Sequence, residues 1–411
     1  MSDDRVFVIV GASVAGAKAA EALRDKGFEG RIVLVGAEAE RPYERPPLSK
    51  EYLIGKKPAE KGYVHPESFY AEHNIELRLG VTVTSIDPGR HEIELAAGER
   101  LHYDKLLLAT GSSVIPLKVP GADLDGVHYL RTLDDSTALK TALAEGGRVV
   151  IVGGGWIGLE VASAARGYDA QVVLIEPQAA PLLGVLGPEL GGFYAQLHRD
   201  RGVDVRLGVG VSSFKGHDGA VTAVVTAEGV EIDADVVVVG VGIKPNAELA
   251  AAAGLSAGDG ILVDEYLQTS DPDIYAAGDV ANAHNPQLGH RVRVQHWANA
   301  NDQGPAAAAS MLGLGEPYSK VPYFFSDQYD VGMEYSGLAK SGEYDDLVYR
   351  GDPASREFCV FWVSKGTVIA GMNVNIWDVH PQIRALIKNR TQVDVAKLAD
   401  PAVSIAEVTR D

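Results

Sequence analysis

The chain has 411 residues, 46% of them hydrophobic and 23% charged, with a formal net charge of −19. That length predicts two or three domains, each able to bury a core, and the acidity argues against a nucleic-acid partner, which it would repel. The one cysteine, Cys359, excludes a disulfide framework and a cysteine-ligated metal cluster. The opening Met1-Ser2-Asp3-Asp4 is acidic and unlike a signal peptide. The longest apolar runs are broken by glycine and by Glu160, short of a membrane span. A cytoplasmic protein is expected.

In chain order, the first strand, Val8-Ile9-Val10, runs into Gly11-Ala12-Ser13-Val14-Ala15-Gly16 and an alanine-rich helix pattern. A β-branched strand, a glycine turn and a helix start form the fingerprint of a dinucleotide cradle. The first glycine makes the tight turn, the middle position admits the pyrophosphate, and the third lets helix and strand pack closely. The helix N-terminus then offers N–H groups and the positive end of its dipole. Ser13 stands where a middle glycine is usual; its side chain is small and its hydroxyl can donate to a phosphate. An acid for the ribose is expected about 20 residues on, which points to Glu38 and more weakly to Glu40. The strand Lys105–Ala109 then meets Thr110-Gly111-Ser112-Ser113, and a hinge with Pro116, Pro120 and Gly121 follows.

A second fingerprint runs Val149-Val150-Ile151-Val152-Gly153-Gly154-Gly155-Trp156-Ile157-Gly158-Leu159-Glu160. Glu176 closes the next strand, placed to hold a ribose diol and to repel the 2′-phosphate of NADP. No Arg or Lys lies between Glu176 and Arg199 to reverse that preference, so NADH is the expected donor. The exit of this half, Ala234 to Gly240 and on through Gly242 to Asn246, repeats the plan of the Ala109–Ser113 exit. A flavin-type segment, Ile274-Tyr-Ala-Ala-Gly278-Asp279, then returns, which implies that the second fold is inserted into the first. From Pro322 short Phe-, Tyr- and Val-rich strands precede a helix near Pro381–Asn389. The fold class read from this pattern is α/β: two Rossmann-like domains, one inserted in the other, plus a C-terminal α+β domain. The expected boundaries are 1–112 and 239–321 for an FAD domain, 113–238 for an NADH domain and 322–411 for the last. Two cradles imply two dinucleotides, most simply FAD and NADH. With a lone cysteine, which reads as a small core residue, their electrons cannot end on an internal disulfide and must leave the chain.

The segment Arg41-Pro-Tyr-Glu-Arg45-Pro-Pro-Leu-Ser-Lys50 is more particular than a generic loop. It resembles the flavin-side loop of NADH-dependent ferredoxin reductases that serve bacterial cytochrome monooxygenases and Rieske dioxygenases. The likeness continues through Tyr129–Thr132, Gly153–Ala162, Thr269–Pro272, Ala277–Asp279 and Phe324–Asp330, so it spans nearly the whole chain. Gln295–Ala300 and Gly371–Trp377 are similar to the branch shared with apoptosis-inducing-factor-like flavoproteins. The resemblance implies that Ala15 and its cradle neighbours contact the FAD pyrophosphate, and that Val83 meets the adenine through its backbone. It implies that Arg45, Lys50 and Arg131 reach the phosphates or the isoalloxazine edge. Asp279 would bind the ribityl and phosphate end, with Trp297 near the ring. Glu160 and Glu176 would bind NADH, and Gly242 would line the nicotinamide pocket. Three positions depart from the family: Ala37 stands where an acid is usual, arginines are missing around Ala180 and Gly184, and Gln295 replaces a common glutamate.

A flavin accepts electrons in pairs from nicotinamide and can release them singly, so the implied partner is a one-electron carrier, a [2Fe–2S] ferredoxin. Lys50 and Glu160 are expected to pair beside the flavin as the catalytic residues, Lys50 answering negative charge on the reduced ring and Glu160 holding Lys50. Ferredoxins are usually acidic, so docking needs local positive charge. Arg384 and Lys388, four apart on one helix face, with Arg390, form one candidate patch; Arg291 and Arg293 form another. The histidines show no metal-ligand spacing. Monomer and homodimer remain open. So do two other readings: a reductase of rubredoxin or another small acceptor, and an NADH-responsive redox switch without turnover.

Overall fold

The computed structural model describes residues 3–410. Its main elements are β1 (Val6–Val10), α1 (Val14–Asp25), β2 (Arg31–Val35), β3 (Ile75–Arg78), β4 (Val83–Asp87), β5 (Lys105–Leu108), β6 (Val127–His128), α2 (Leu133–Ala144), β7 (Arg148–Val152), α3 (Trp156–Arg166), β8 (Gln171–Glu176), α4 (Leu183–Asp200), β9 (Asp204–Leu207) and β10 (Val236–Val239). They continue as β11 (Ile274–Ala276), β12 (His290–Arg293), α5 (Trp297–Met311), β13 (Tyr323–Gln328), β14 (Val331–Gly337), β15 (Asp346–Asp352), β16 (Glu357–Ser364), β17 (Thr367–Val374) and α6 (His380–Asn389). The chain forms two compact units. One gathers Met1–Glu44, Glu60–Ser113 and Lys244–Pro322, the other Arg45–Ala59, Val114–Ile243 and Tyr323–Asp411.

The first unit is built on a five-stranded sheet in the order β11-β5-β1-β2-β3. Its pairings are all parallel. Parallel strands covered on both faces read as unbroken apolar runs, and β1, β2 and β5 are buried along nearly their whole length. The last strand, β11, enters the sheet about 165 residues after β5, because the second nucleotide fold intervenes in the sequence. Helix α1 buries Val14, Ala15, Gly16, Ala17, Ala19, Ala20, Ala22 and Leu23, so almost its entire circumference is covered. Small residues make that possible: a Cβ on Gly304 of α5 would lie 2.5 Å from the Ala15 carbonyl oxygen.

The second unit repeats the plan with the order β9-β8-β7-β10-β6, again parallel throughout. β7 corresponds to β1, β8 to β2, β9 to β3 and β10 to β5. The C-terminal residues form an antiparallel sheet, β13-β14-β17-β16-β15. It shares one core with the helices of the second nucleotide fold: Leu159, Leu186, Tyr194, Phe324, Met333, Phe358 and Trp362 belong to a single buried cluster. Helix α6 lies against this sheet, its Ile383 filling the space where a Gly371 side chain would stand. Residues 45–59, inside the first sequence-drawn boundary of 1–112, join the second unit instead. Leu53 is fully buried in that core, and Leu48 and Leu53 carbonyls accept hydrogen bonds from Ser136 Oγ and Tyr168 Oη, each at 2.7 Å.

Candidate dinucleotide and electron-transfer sites

Each sheet carries a cradle at the carboxyl end of its central strand, and the two match atom for atom in their constraints. Gly11 has φ +118° and a Cβ there would meet the Ala109 carbonyl oxygen at 2.0 Å; Gly153 has φ +109° and the Gly240 oxygen at 2.4 Å. No side chain fits either turn. Cβ atoms on Gly16 and Gly158 would fall 2.0 Å from the carbonyl oxygens of Gly11 and Gly153, so each third position is held to glycine by helix–strand contact. The middle positions differ in kind. Ser13 and Gly155 are extended N-caps of α1 and α3, neither helix has an acid in its first turn, and neither cap residue closes the helix end with its side chain. A Cβ on Gly155 meets no protein atom within 4 Å, which explains why serine is accommodated at the corresponding place. First-turn N–H groups left open at a helix start suit a phosphate, so the residues present fit two dinucleotides. Val14, Ala15 and Ile157 lie within these first turns.

The acids sit differently. Glu176 ends β8 with its carboxylate turned into the second cradle. Its Oε2 accepts from the Gly154 N–H at 2.6 Å and its Oε1 from the Gln178 N–H at 2.8 Å. In the first cradle Gly36 occupies the equivalent place, and a Cβ there would lie 2.5 Å from the Ala12 Cβ. The first acid therefore has to come from farther along. Glu38 accepts a hydrogen bond from Tyr43 Oη, and its carbonyl accepts from the Gly80 N–H at 2.9 Å. Glu40 is engaged by Tyr63 Oη at 2.5 Å, a contact that pushes the Tyr63 phenol up to about 12. Val83 opens β4 two residues after Val81, whose N–H donates to the Gly36 carbonyl at 2.8 Å, on the same side of the unit as the cradle turn.

Gly278 and Asp279 come to the first cradle from the far end of the unit. Gly278 has φ +81°, and a Cβ on it would lie 3.2 Å from the Ala15 Cβ. Its N–H donates to Gln303 Oε1 at 2.8 Å, and Gln303 is buried on α5. Trp297 is the first residue of α5, after the N-cap His296. Burial pushes the His296 imidazole down to about 4, against the pull of Asp279. Thr110 and Gly111 are clasped by Asn246: Thr110 Oγ1 donates to the Asn246 carbonyl, Asn246 Nδ2 to the Thr110 carbonyl, both at 2.8 Å, and Asn246 N–H to the Gly111 carbonyl at 3.0 Å. Neither Gln303 nor Asn246 was singled out by sequence reasoning. Gln303 lies 25 positions from the turn it holds and Asn246 136 from Thr110, so neither amide carries a signal until the fold brings it there.

Lys50 and Glu160 both lie in the second unit, as do Arg45 and Arg131. Lys50 Nζ is 2.8 Å from Glu160 Oε2, with side-chain exposures of 10% and 3%. Glu160 is the fifth residue of α3, on its buried face. Ser49 Oγ donates to the same Oε2 at 2.5 Å and Ser326 Oγ to Oε1 at 2.6 Å. The Lys50 ammonium stands 5.5 Å from the centroid of Phe325. Asp327 is the next acid: desolvation raises its carboxyl above the ordinary range, Lys50 opposes this, and Glu160, Glu51 and Glu334 add to it. Arg45 Nη1 donates to the Arg131 carbonyl at 2.5 Å. The Arg131 backbone is fixed in turn by Asp135, which accepts from the Arg131 N–H at 3.0 Å while completing a capping box with Thr132 at the start of α2. Gly242, at φ +120°, gives its carbonyl to the Ile115 N–H at 2.9 Å. Ser49 and Ser326 lay inside the quoted segments Arg41–Lys50 and Phe324–Asp330, so a signal existed, but nothing in spacing showed that both reach Glu160.

Among the basic residues, Arg384, Lys388 and Arg390 lie on or just past α6, Lys388 and Arg390 exposed and Arg384 half-buried. Arg293 pairs with Asp259 at 2.7 Å, and Arg291 donates to the Val263 and Asn282 carbonyls, so both spend donors within the first unit. Cys359 is buried in β16 and burial pushes its thiol up to about 11. Among the described residues no group of His, Cys, Asp or Glu is placed to hold a metal ion, and no helix is long and apolar enough to cross a membrane.

Residues 5–304 match the family described as pyridine nucleotide-disulphide oxidoreductase, and residues 323–409 match the domain described as reductase C-terminal. The chain is 42% identical over 405 residues, 98% of each chain, to the ferredoxin reductase subunit of 5,5′-dehydrodivanillate O-demethylase from Sphingobium sp.. It is 39% identical to putidaredoxin reductase from Pseudomonas putida, over 98% of this chain and 96% of that one. Among solved structures it is similar to the reductase in the covalent putidaredoxin reductase–putidaredoxin complex, with a TM-score of 0.95, 39% identity and 98% of each chain covered.

Proposed function

We propose, from the premise that this chain belongs to the pyridine nucleotide-disulphide oxidoreductase family, that it passes electrons from NADH through FAD to a ferredoxin that serves an oxygenase. The observation that carries this reading is the pairing of two dinucleotide cradles with a single buried thiol held in its protonated form. With no second cysteine to form a redox disulfide, electrons collected here leave for an external carrier. When bound, the flavin supplies the conversion between two-electron and one-electron transfer.

The chain's own residues divide the remaining work. Residues 1–112 and 239–321, apart from the 45–59 segment that joins the second unit, hold FAD, with α1 at its pyrophosphate, Glu38 at its ribose, Val83 at its adenine, and Thr110, Gly111, Gly278, Asp279 and Trp297 toward its other end. Residues 113–238 hold NADH: Gly153, Gly155, Ile157 and Gly158 cradle the pyrophosphate and Glu176 takes the ribose diol, while Gly242, just past this range, borders the nicotinamide. A carboxylate already fixed by two backbone N–H groups is rigid, and it rejects a 2′-phosphate by charge. Lys50 places a positive charge where the reduced flavin gains a negative one, and Glu160 holds Lys50 in position. Arg45 and Arg131 reach the flavin phosphates or ring edge. The partner is a [2Fe–2S] ferredoxin docking on Arg384, Lys388 and Arg390, with Arg291 and Arg293 as a secondary patch. The protein works in the cytoplasm as a monomer or homodimer.

The test is NADH-driven cytochrome c reduction by the purified flavoprotein, with and without an added [2Fe–2S] ferredoxin. Strong ferredoxin dependence is expected. Rapid flavin bleaching by NADH with no onward turnover to several ferredoxins would overturn the reading in favour of a redox switch. Turnover restricted to rubredoxin would reassign the acceptor.

A further inference from the structure

A buried run of hydrogen bonds leads away from Glu160, entirely within the second unit. Ser326 Oγ lies 2.6 Å from Glu160 Oε1, Gln328 Nε2 lies 3.2 Å from Ser326 Oγ, and His198 Nε2 lies 2.9 Å from Gln328 Oε1. The Tyr329 hydroxyl then stands 3.0 Å from His198 Nδ1. Glu160, Ser326, Gln328 and His198 are 3%, 2%, 1% and 0% exposed. The residues come from three elements. His198 is near the end of α4, Glu160 is inside α3, and Ser326 and Gln328 sit two apart on β13, hence on one face of the strand.

Chemistry sets the direction of every link. An amide oxygen only accepts, so His198 carries its proton on Nε2, and its bare Nδ1 accepts from Tyr329. The Gln328 NH2 only donates, so Ser326 accepts there and has its own O–H left for Glu160. The chain therefore reads Tyr329 to His198 to Gln328 to Ser326 to Glu160, each donor pointing toward the carboxylate. Aligned donors of this kind polarise one another. Burial pushes the His198 imidazole down to about 4, against a smaller upward effect of Gln328. At neutral pH the chain thus presents dipoles, and no second cation, to Glu160.

We propose that Ser326, Gln328 and His198 are positioning residues: they deliver one fixed hydrogen bond to Glu160 Oε1, which keeps Oε2 turned to Lys50 and the Lys50 ammonium in one place. Ser49 supports the same orientation from the other oxygen. Rotation of the carboxylate would strand a buried donor on either side, and a buried donor without an acceptor bears its full desolvation penalty. The inference rests on the reading that Lys50 borders the bound flavin.

The experiment uses the FAD-loaded protein and three single variants, Lys50→Ala, Gln328→Leu and Ser326→Ala, with the double variant Lys50→Ala/Gln328→Leu. Three quantities are read: the flavin midpoint potential, the single-turnover rate of flavin reduction at saturating NADH, and the NADH Kd. Gln328→Leu and Ser326→Ala are expected to slow reduction about tenfold, with Kd little changed, and to move the potential in the same direction as Lys50→Ala. In the double variant Gln328→Leu should add little further. Ser326→Ala removes a single oxygen and keeps the test alive if Gln328→Leu folds poorly. If both variants keep the parent rate and potential while Lys50→Ala changes them, the chain is structural only and the proposal fails. If Lys50→Ala changes neither quantity, the placement of Lys50 itself is wrong and the inference falls with it.

Discussion

Glu176 and Gly36 occupy equivalent places at the ends of β8 and β2, and the difference between them decides where each cradle keeps its acid. Opposite Gly154 there is room for a carboxylate; opposite Ala12 a side chain would collide. Sequence reading placed Glu176 correctly at its strand end because the acid follows an unbroken apolar run. It offered Glu38 and Glu40 together, since nothing in their spacing shows that Tyr63 engages the second. His198 gives a prediction at this scale. An unfolded histidine takes up its proton below about pH 6.5, whereas burial holds this one down to about 4. Its folded value is depressed, so the unfolded state binds the extra proton first as acid is added. Stability is therefore complete above about pH 6.5 and is lost as pH falls toward 4, by about 3 kcal/mol. In His198→Phe, which cannot titrate, the drop in Tm between pH 7 and pH 4 should be smaller than in the parent. An equal drop in both would show that His198 is not held neutral.

Among the elements, α1 and α5 are the pair on which the first cradle depends. α1 is covered on nearly every side, and the closeness of α5 is set by Gly304, whose missing side chain leaves the Ala15 carbonyl and Ala19 N–H within reach of its backbone. Gly304→Val would force the helices apart. Overpacking of this kind costs about 1–3 kcal/mol, and Gln303, which holds Gly278, is the adjacent residue. A Tm lower by several degrees and loss of FAD on gel filtration are expected; parent-like values for both would show that the contact is dispensable. The alanine-rich pattern after Gly11 was legible as a helix, but its partner was not, because α5 lies nearly 300 residues along and only the sheet order brings it to α1. The same holds for β13: its Phe- and Tyr-rich run marks a strand, yet which face meets Glu160 depends on how that sheet packs on α3.

For the molecule as a whole, a net charge of −19 makes the approach of an acidic partner unfavourable except at a local positive patch. Within the α6 region Arg384, Lys388 and Arg390 are the residues proposed above for such a patch. Reversing Arg384 and Lys388 to Glu should lower ferredoxin-dependent turnover most at low ionic strength, with direct NADH reduction of the flavin unchanged; an unaltered salt dependence would remove α6 from the docking face. The sequence by itself determined the two nucleotide folds, the insertion of one into the other, the glycine turns of the cradles and the place of Glu176 at a strand end, because turns, buried parallel strands and a strand-end acid are local and leave their mark in short runs of residues. Only the tertiary structure decided that residues 45–59 join the second unit, that Ser49 and Ser326 grip Glu160 from two sides, and that Asn246 and Gln303 brace the first cradle. Those contacts join residues 25 to 166 positions apart, and a hydrogen bond at such a separation is fixed by packing of the sheets and helices that carry its two ends.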